Sequence, residues 1–229
     1  MKKILFFISI QLILISSLHS KDFQSIEQTE AVLTVEGDIR ASMSVSMKKE
    51  DQETWRLKSE IHKFGFTFRK ETAKFKLLKN KIIPMNWSRK GEADVEFNWK
   101  EKTLKFKEKK QEGTLPLTDD VLGPATAQIK LRLDLRKYDI SSLPDKLEYR
   151  VYYKGKIKKR VFNINGLEDI STPLGDYMTV KVSRERLEDQ DREQIFWLAP
   201  DLDFAIIQIL NDDGKRRVKI KMKKENSYL

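Results

Sequence analysis

The chain has 229 residues, a formal net charge of +10 and no cysteine. The lack of cysteine excludes thiol catalysis, iron–sulfur clusters, thiolate zinc sites and disulfide stabilisation. Charged residues make up 35% of the chain, and the excess of positive charge favours encounters with anionic partners.

The N-terminus has the pattern of a cleavable secretory signal. Two lysines precede an apolar run over 4–15, and small and polar residues follow up to Ser20. The run is shorter than the roughly 20 apolar residues that a membrane-spanning helix needs. We therefore predict a cleaved signal peptide over 1–20 and a single β-rich periplasmic domain over 21–229, with secretion as the alternative location. After cleavage we expect no integral membrane segment.

Apolar and polar residues alternate along most of the remaining chain, with the period of two that is typical of half-buried strands. The strands predicted in this way are 31–35, 39–47, 55–61, 64–68, 95–99, 104–106, 147–153, 178–182 and 218–222. A near-continuous apolar run over 204–210 predicts a strand packed on both faces. Many short strands separated by Gly and Pro turns indicate a curved sheet, an open barrel or a sandwich.

One segment departs from the alternation. Acidic residues followed by Pro124 resemble a helix start, and Leu122, Ala125, Ile129 and Leu133 follow at helical spacing. We predict a helix over 119–133 that caps the concave face of the sheet. The apolar residues over 129–135 also alternate as a strand would, so a strand remains the alternative there.

Three motifs carry a resemblance to a known family. They are Asp-Val-Leu-Gly-Pro-Ala-Thr-Ala at 120–127 with Leu131-Arg132, Gly-Leu-Glu-Asp-Ile-Ser-Thr-Pro-Leu-Gly-Asp-Tyr at 166–177, and Ile-Phe-Trp-Leu-Ala-Pro-Asp-Leu at 195–202. Their order and spacing resemble a bacterial periplasmic family known only as a domain of unknown function. The resemblance implies a mainly β fold, with a strongly curved antiparallel sheet or open half-barrel and one helix on its concave side. The shape would be similar to that of periplasmic lipoprotein carriers, and the family offers no reaction whose catalytic residues could be transferred.

Residues that could support catalysis are few. Beyond the signal the only histidine is His62, which lies in a Lys-rich strand and has no recognisable triad around it. Two carboxylate pairs, Glu168 with Asp169 and Asp201 with Asp203, keep a glycan hydrolase open as an alternative. We predict no catalytic residue, no metal ligand and no cofactor.

Two sets of residues are candidates for binding. Alternate basic residues on strands predict an anion-contacting stripe, whose members are Lys154, Lys156, Lys158, Lys159, Arg160, Arg217, Lys219 and Lys221. A solvated face that discourages edge-to-edge aggregation is the alternative. Aromatic side chains predict an apolar lining of the concave side, either as packed core or as a cavity for an acyl chain, and they are Phe64, Phe66, Phe68, Phe97, Trp99, Phe106 and Trp197.

These observations together predict a non-enzymatic binding or carrier-like domain for an apolar or anionic component of the envelope. Anionic lipids, glycans and envelope proteins are the expected partners, because export separates the chain from nucleic acid. A structural protein of an envelope assembly is the alternative. The sequence does not distinguish between oligomeric states.

Overall fold

The computed structural model describes residues 26–35, 40–79, 81–173, 175–186, 193–214 and 217–224. The signal peptide predicted over 1–20 lies outside these residues, and its cleavage stays a prediction. The strands are β1 (Ile26–Val35), β2 (Arg40–Lys49), β3 (Thr54–Lys63), β4 (Phe66–Leu78), β5 (Lys81–Arg89), β6 (Ala93–Asn98), β7 (Thr103–Glu108), β8 (Gln111–Pro116), β9 (Val121–Leu122), β10 (Lys146–Tyr153), β11 (Lys156–Thr172), β12 (Gly175–Arg184), β13 (Glu193–Ala199), β14 (Ala205–Asp212) and β15 (Arg217–Lys224). The α-helix α1 spans Pro124–Leu135.

Within the described residues, all fifteen strands belong to one sheet. Its order is β8-β7-β6-β5-β4-β3-β2-β1-β15-β14-β13-β12-β11-β10-β9, so the first and last strands of the chain pair in the middle. Neighbouring strands are antiparallel except β9, which pairs in parallel with β10. The predicted mainly β, antiparallel architecture is confirmed.

The sheet curls until its two ends meet through side chains. The Tyr152 hydroxyl of β10 donates to Glu108 Oε1 of β7 at 2.7 Å and accepts a hydrogen bond from the Gly155 amide at 3.1 Å. The Tyr152 ring lies 5.7 Å from that of Phe106, centroid to centroid. We call this contact the seam. No backbone ladder joins β8 to β9 in the described part of the chain, so the barrel is open.

Helix α1 fills the concave side. Ile129 and Leu133 pack in one buried cluster with Trp55, Phe75 and Val151 from the surrounding strands. The opposite side of the helix contributes to a second cluster, which contains Leu131, Leu135, Phe162, Val180, Val182, Phe196, Leu198 and Phe204. The helix is therefore the centre of the core, in agreement with the predicted position on the concave face.

The predicted helix start at residue 119 is wrong. Val121 and Leu122 form β9 and pair with Arg150 and Val151, which takes them out of the helix. Gly123 is the N-cap and Pro124 the first helical residue, where the missing proline N–H costs nothing.

A second core lies on the outer face of the sheet. Trp197 alternates along β13 with Phe196 and Leu198, so its ring faces away from α1. It packs with Ile170 of the long strand β11, Ala199, Ala205, Ile207 and Met222. The strand predicted over 204–210 is therefore packed on both faces, as expected.

Candidate functional site

Three phenylalanines of the predicted lining lie at the tip of the β3–β4 hairpin in solvent. Phe64, Phe66 and Phe68 are 86%, 78% and 81% exposed, so the prediction that they line the concave side is wrong. The physical reason is the length of the hairpin. Pairing with β5 stops at Glu71 and Arg89, and the residues beyond this pair have no neighbouring strand on that side.

The other aromatic residues of the predicted lining are packed. Phe97, Trp99 and Phe106 belong to the cluster of the β4–β8 half of the sheet. Phe97 stacks on Trp99 with a centroid distance of 6.3 Å, and Trp99 Nε1 donates to the Pro84 carbonyl oxygen. Trp197 lies in the outer core and not with these residues, which corrects its predicted place in a common lining.

Three basic residues of the β10–β11 hairpin surround the Tyr153 ring. Lys154 Nζ, Lys158 Nζ and Arg160 Cζ lie 4.9, 5.9 and 4.3 Å from the ring centroid, distances typical of cation–π contacts. Arg160 is only 4% exposed. Its predicted role in a surface stripe is therefore wrong, because the strand carries it towards the core beside Phe162.

Lys159 points the other way from its neighbours on β11 and lines a cleft of about 380 Å³. Its Nζ lies 2.9 Å from Glu148 Oε2. The cleft wall consists of Lys81, Ile82, Asp119, Asp120, Leu122, Lys130, Glu148, Tyr149, Arg150 and Lys159. Cations and carboxylates alternate in this wall and largely neutralise each other, as in the pair of Arg150 with Asp120 at 3.3 Å.

The β15 part of the predicted stripe lies elsewhere. Three strands separate β15 from β11 in the sheet. Arg217 Nε lies 3.1 Å from Asp212 Oδ2, and Lys221 Nζ donates to the Ser171 carbonyl oxygen at 2.8 Å. Lys219 is exposed. The eight residues therefore do not form one continuous stripe.

Several hairpin turns meet at one end of the sheet. Because antiparallel strands reverse direction, the β3–β4, β5–β6 and β7–β8 turns share this end. The Lys90 amide donates to the Lys70 carbonyl oxygen at 3.0 Å. The Lys109 amide donates to the Glu92 carbonyl oxygen at 3.2 Å. The β5–β6 turn is therefore in backbone contact with the base of the β3–β4 hairpin on one side and with the β7–β8 turn on the other.

The β10–β11 turn joins the same end across the seam. Gly155 has a positive φ of 71°, and a Cβ added to it would lie only 2.8 Å from the Gln111 side chain. The two turns are therefore closely packed. We call the four turns together the basic rim, which comprises residues 63–70, 90–92, 108–111 and 153–156.

Lysine dominates the charge of the basic rim. Rim lysines that form no ion pair with another described residue are Lys63, Lys90, Lys109, Lys110 and Lys156. Two rim carboxylates are engaged: Glu92 pairs with Arg89 at 3.3 Å, and Glu108 accepts the Tyr152 hydroxyl. Sequence reasoning missed this surface, because its lysines come from turns that are distant in the chain.

The opposite end of the sheet is richer in carboxylates. Its turns carry Glu50, Asp51, Glu53, Asp119 and Asp120, with Lys79, Lys100 and Lys102 among them. Hydrogen bonds from the backbone amides of Glu53 and Thr54 hold the pKa of Asp51 below its ordinary value. The Asp51 carboxylate is therefore charged at neutral pH, and these turns carry more carboxylates than the four turns of the basic rim.

Comparison with known families identifies the family of the chain. A family model described as protein of unknown function (DUF3108) matches residues 25–226. The chain belongs to this family, as the three sequence motifs predicted. No protein of curated function matches the chain. Within the described residues, no helix has the length and apolar character to cross a membrane.

Comparison with solved structures gives matches from several bacteria. A beta-barrel-like protein of domain of unknown function DUF1849 from Brucella abortus has a TM-score of 0.53 at 10% identity, covering 88% of this chain and 97% of its own. A putative exported protein with a YmcC-like fold from Bacteroides fragilis has a TM-score of 0.43 at 9% identity, covering 89% and 97%. The hypothetical lipoprotein YmcC from Escherichia coli has a TM-score of 0.35 at 10% identity, covering 87% and 85%. The Brucella structure supports the barrel-like fold alone.

The family motifs contact one another in the structure. Arg132 of the first motif donates to the backbone oxygen of Asp203, directly after the third motif, at 3.0 Å from Nη2 and 3.3 Å from Nε. Arg136 Nε lies 2.8 Å from Asp203 Oδ1. In the second motif, Glu168 pairs with Lys181 at 2.8 Å beside Trp197. Asp203 and Glu168, one member of each predicted carboxylate pair, are therefore held in ion pairs.

Asp134 is a buried carboxylate at the C-terminal end of α1. It binds Lys130 and Lys137 and accepts the Tyr149 hydroxyl at 2.9 Å. Burial alone would raise its pKa, but the hydrogen bonds from the two lysines outweigh burial and hold the pKa below the ordinary value of 3.8. Asp134 therefore stabilises the fold above that value, and its contribution is lost as the pH falls through the lower folded-state pKa.

We expect Asp134→Asn to lower the free energy of unfolding by about 2 kcal/mol at pH 7. The difference from the wild type should begin to shrink below roughly pH 4, where the carboxyl of the unfolded chain takes up a proton, and should vanish only once the pH has fallen through the lower folded-state pKa. Urea unfolding at a series of pH values measures this difference, with the exposed Asp139→Asn as the control. If the difference in the free energy of unfolding between Asp134→Asn and the wild type stays constant down to about pH 2, the Asp134 carboxylate does not supply this stability.

Proposed function

We propose that the protein is a periplasmic, non-enzymatic binding domain for an anionic component of the cell envelope, which it binds at the basic rim. The observation that carries the proposal is the contact between the β7–β8 and β10–β11 turns at the seam. This contact brings Lys109 and Lys110 next to Lys154 and Lys156, although more than forty residues separate the two pairs in the sequence.

Electrostatics favours an anionic ligand at this surface. Lys109, Lys110 and Lys156 form no ion pair with another described residue and are exposed. Clustered charges of one sign attract ligands of the opposite sign and raise their local concentration, an effect that salt screens over about 10 Å at 0.1 M. The turns at 50–53 and 117–120, at the opposite end, carry more carboxylates than the four rim turns do, which also favours approach of an anion through the rim.

The concave interior is a less favourable site for the apolar ligand that the sequence also allowed. Helix α1 occupies the concave side, and Ile129 and Leu133 pack against the sheet there. Phe97 is buried against the start of α1, where a Cβ added to Gly123 would lie 3.5 Å from its ring. This residue of the predicted lining therefore packs on the helix. Anion binding at the rim therefore has more support than acyl-chain binding inside the barrel.

The test is binding of a soluble polyanion, dextran sulfate, to the purified protein. We expect the combined substitution Lys109→Gln, Lys110→Gln and Lys156→Gln to raise the Kd at about 0.1 M salt on the order of tenfold or more. The dependence of log Kd on log salt concentration should also become shallower by about two units, because fewer counterions are exchanged. Fluorescence anisotropy of labelled dextran sulfate over a salt series measures both quantities.

The matched control removes the same charge from the opposite end. Lys79→Gln, Lys100→Gln and Lys102→Gln alter three exposed turn lysines there. Their variant should retain the wild-type Kd within about threefold. Equal losses in both variants would show that net charge alone governs the interaction, and the rim would then not be a site.

A further inference from the structure

The tip of the β3–β4 hairpin forms an exposed aromatic surface on the basic rim. Phe64, Phe66 and Phe68 lie within five consecutive residues and are each more than three-quarters exposed. Contiguous exposed apolar side chains on a folded protein indicate an interaction surface. Residues 64–68 contain no charged side chain, whereas Lys63 and Arg69 flank them directly.

The backbone at the tip holds Phe64 in an unfavourable conformation. Phe64 and Gly65 both have positive φ, 51° and 79°, as in the two-residue hairpin turn that usually contains Asn-Gly. A bulky residue rarely adopts a left-handed conformation. Phe64 is 86% exposed, so burial in the described fold does not compensate for this conformation. Its ring is therefore presented outward at a local energetic cost, as is common at functional sites.

The hairpin tip also belongs to the positively charged end of the barrel. Lys63 Nζ lies 5.1 Å from the centroid of the Phe64 ring. On the β4 side, the carbonyl oxygen of Lys70 accepts the Lys90 amide, which fixes the hairpin to the next turn of the rim. The aromatic tip and the rim lysines therefore lie at the same end of the sheet.

We propose that the hairpin tip inserts Phe64, Phe66 and Phe68 into the surface of an anionic lipid bilayer while the rim lysines contact the headgroups. This inference rests on the proposed function, because it identifies the anionic component as membrane lipid. Exposed aromatic side chains beside a cluster of lysines are the combination that binds bilayer interfaces, by burial of apolar area and by attraction to anionic lipid.

Charge complementarity favours a bilayer over a second copy of the chain. Two rims facing each other would bring lysines of the same sign together, which opposes association through this end. An anionic bilayer instead offers negative charge over a wide plane, so the turns at Lys90, Lys109 and Lys156 can be engaged together with the tip.

The first experiment is sedimentation of the purified exported protein with vesicles of phosphatidylglycerol and phosphatidylethanolamine. We expect the combined substitution Phe64→Ser, Phe66→Ser and Phe68→Ser to weaken partitioning about 100-fold, because three rings no longer leave water. The control variant, Leu167→Ser with Met178→Ser, removes exposed apolar side chains of β11 and β12 and should partition as the wild type does. Thermal unfolding checks that both variants fold, which we expect because the substituted side chains are exposed.

A second experiment reports insertion directly. Phe66→Trp places an indole at the tip, and Leu167→Trp places one on β11 as the matched reporter. Lipids brominated along their acyl chains should quench the added fluorescence of the tip variant and not that of the β11 variant. Equal quenching of both, or of neither, contradicts insertion by the tip.

The outcomes separate this inference from the proposed function. If the tip variant binds anionic vesicles and dextran sulfate as the wild type does, insertion is overturned and anion binding at the rim stands. If the wild-type protein binds neither probe, the proposed function itself is overturned. If the serine variant loses a dimer in analytical ultracentrifugation and vesicle binding is unchanged, a second copy of the chain occupies the tip and the bilayer proposal is wrong.

Discussion

Replacing Tyr152 with alanine is expected to lower the free energy of unfolding by about 4 kcal/mol. Tyr152 is 1% exposed, and its ring lies 6.4 Å from Trp87 and 5.7 Å from Phe106, centroid to centroid. The substitution leaves a cavity between the two ends of the sheet and removes the hydrogen bond to Glu108. Urea unfolding followed by circular dichroism measures the loss.

Two further variants divide the contribution of Tyr152 into its parts. Tyr152→Phe keeps the ring and removes only the hydroxyl, so we expect a loss of about 1–2 kcal/mol. Tyr138→Ala removes a surface tyrosine that is 40% exposed and should change the free energy of unfolding by less than about 1 kcal/mol. Similar losses for Tyr152→Ala and Tyr138→Ala would mean that the seam does not hold the ends of the sheet together.

The position of Tyr152 also links stability to the basic rim. Its hydroxyl accepts the Gly155 amide from one rim turn and donates to Glu108 of another. We therefore expect Tyr152→Phe to weaken dextran sulfate binding severalfold even where the protein stays folded, because the two lysine-bearing turns are no longer tied together. Binding that is unaffected in a folded Tyr152→Phe variant would show that packing alone aligns these turns.

Much of the strand architecture was predictable because alternation is a local signal. The segments around Trp55–Ile61, Val95–Trp99 and Leu147–Tyr153 alternate over most of their length, and each forms a strand close to the predicted bounds. Strand β5 was missed because Pro84 interrupts it. The pairing of β5 with β4 is irregular next to Pro84, and the pairing of β5 with β6 begins only at Asn86. The sheet therefore tolerates the missing backbone N–H of Pro84 at this position.

The candidate site was less predictable, because it depends on contacts between distant parts of the chain. Alternation over 64–68 is the same whether or not a neighbouring strand covers it, so the three phenylalanines looked like core residues. Only the early end of β5 at Arg89 leaves them exposed. Likewise, no local pattern indicates that Gln111 and Gly155 come together, because the curl of the whole sheet produces that contact.

The largest electrostatic effect is expected at Asp203, the residue that joins α1 to the β13–β14 turn. Asp203→Ala should lower the free energy of unfolding by about 3–5 kcal/mol, because it removes a carboxylate from the buried Arg132 and from Arg136. The backbone adds to the cost. Asp203 has φ 55° and ψ 42°, a left-handed conformation that aspartate tolerates better than alanine.

Comparison of Asp203→Ala with Asp203→Asn separates charge from backbone conformation. Asparagine tolerates the left-handed conformation and keeps an oxygen acceptor, so the loss that remains in this variant measures the missing charge. Asp201→Ala, at an exposed position of the same turn, serves as the control and should cost less than about 1 kcal/mol. If Asp203→Ala costs no more than Asp201→Ala, the arginine contacts do not anchor the helix. If Asp203→Ala costs the expected amount and Asp203→Asn restores only a small part of the lost free energy of unfolding, the ion pair is the principal link between the first and third family motifs. The packing of Leu131 and Leu135 then depends on this ion pair.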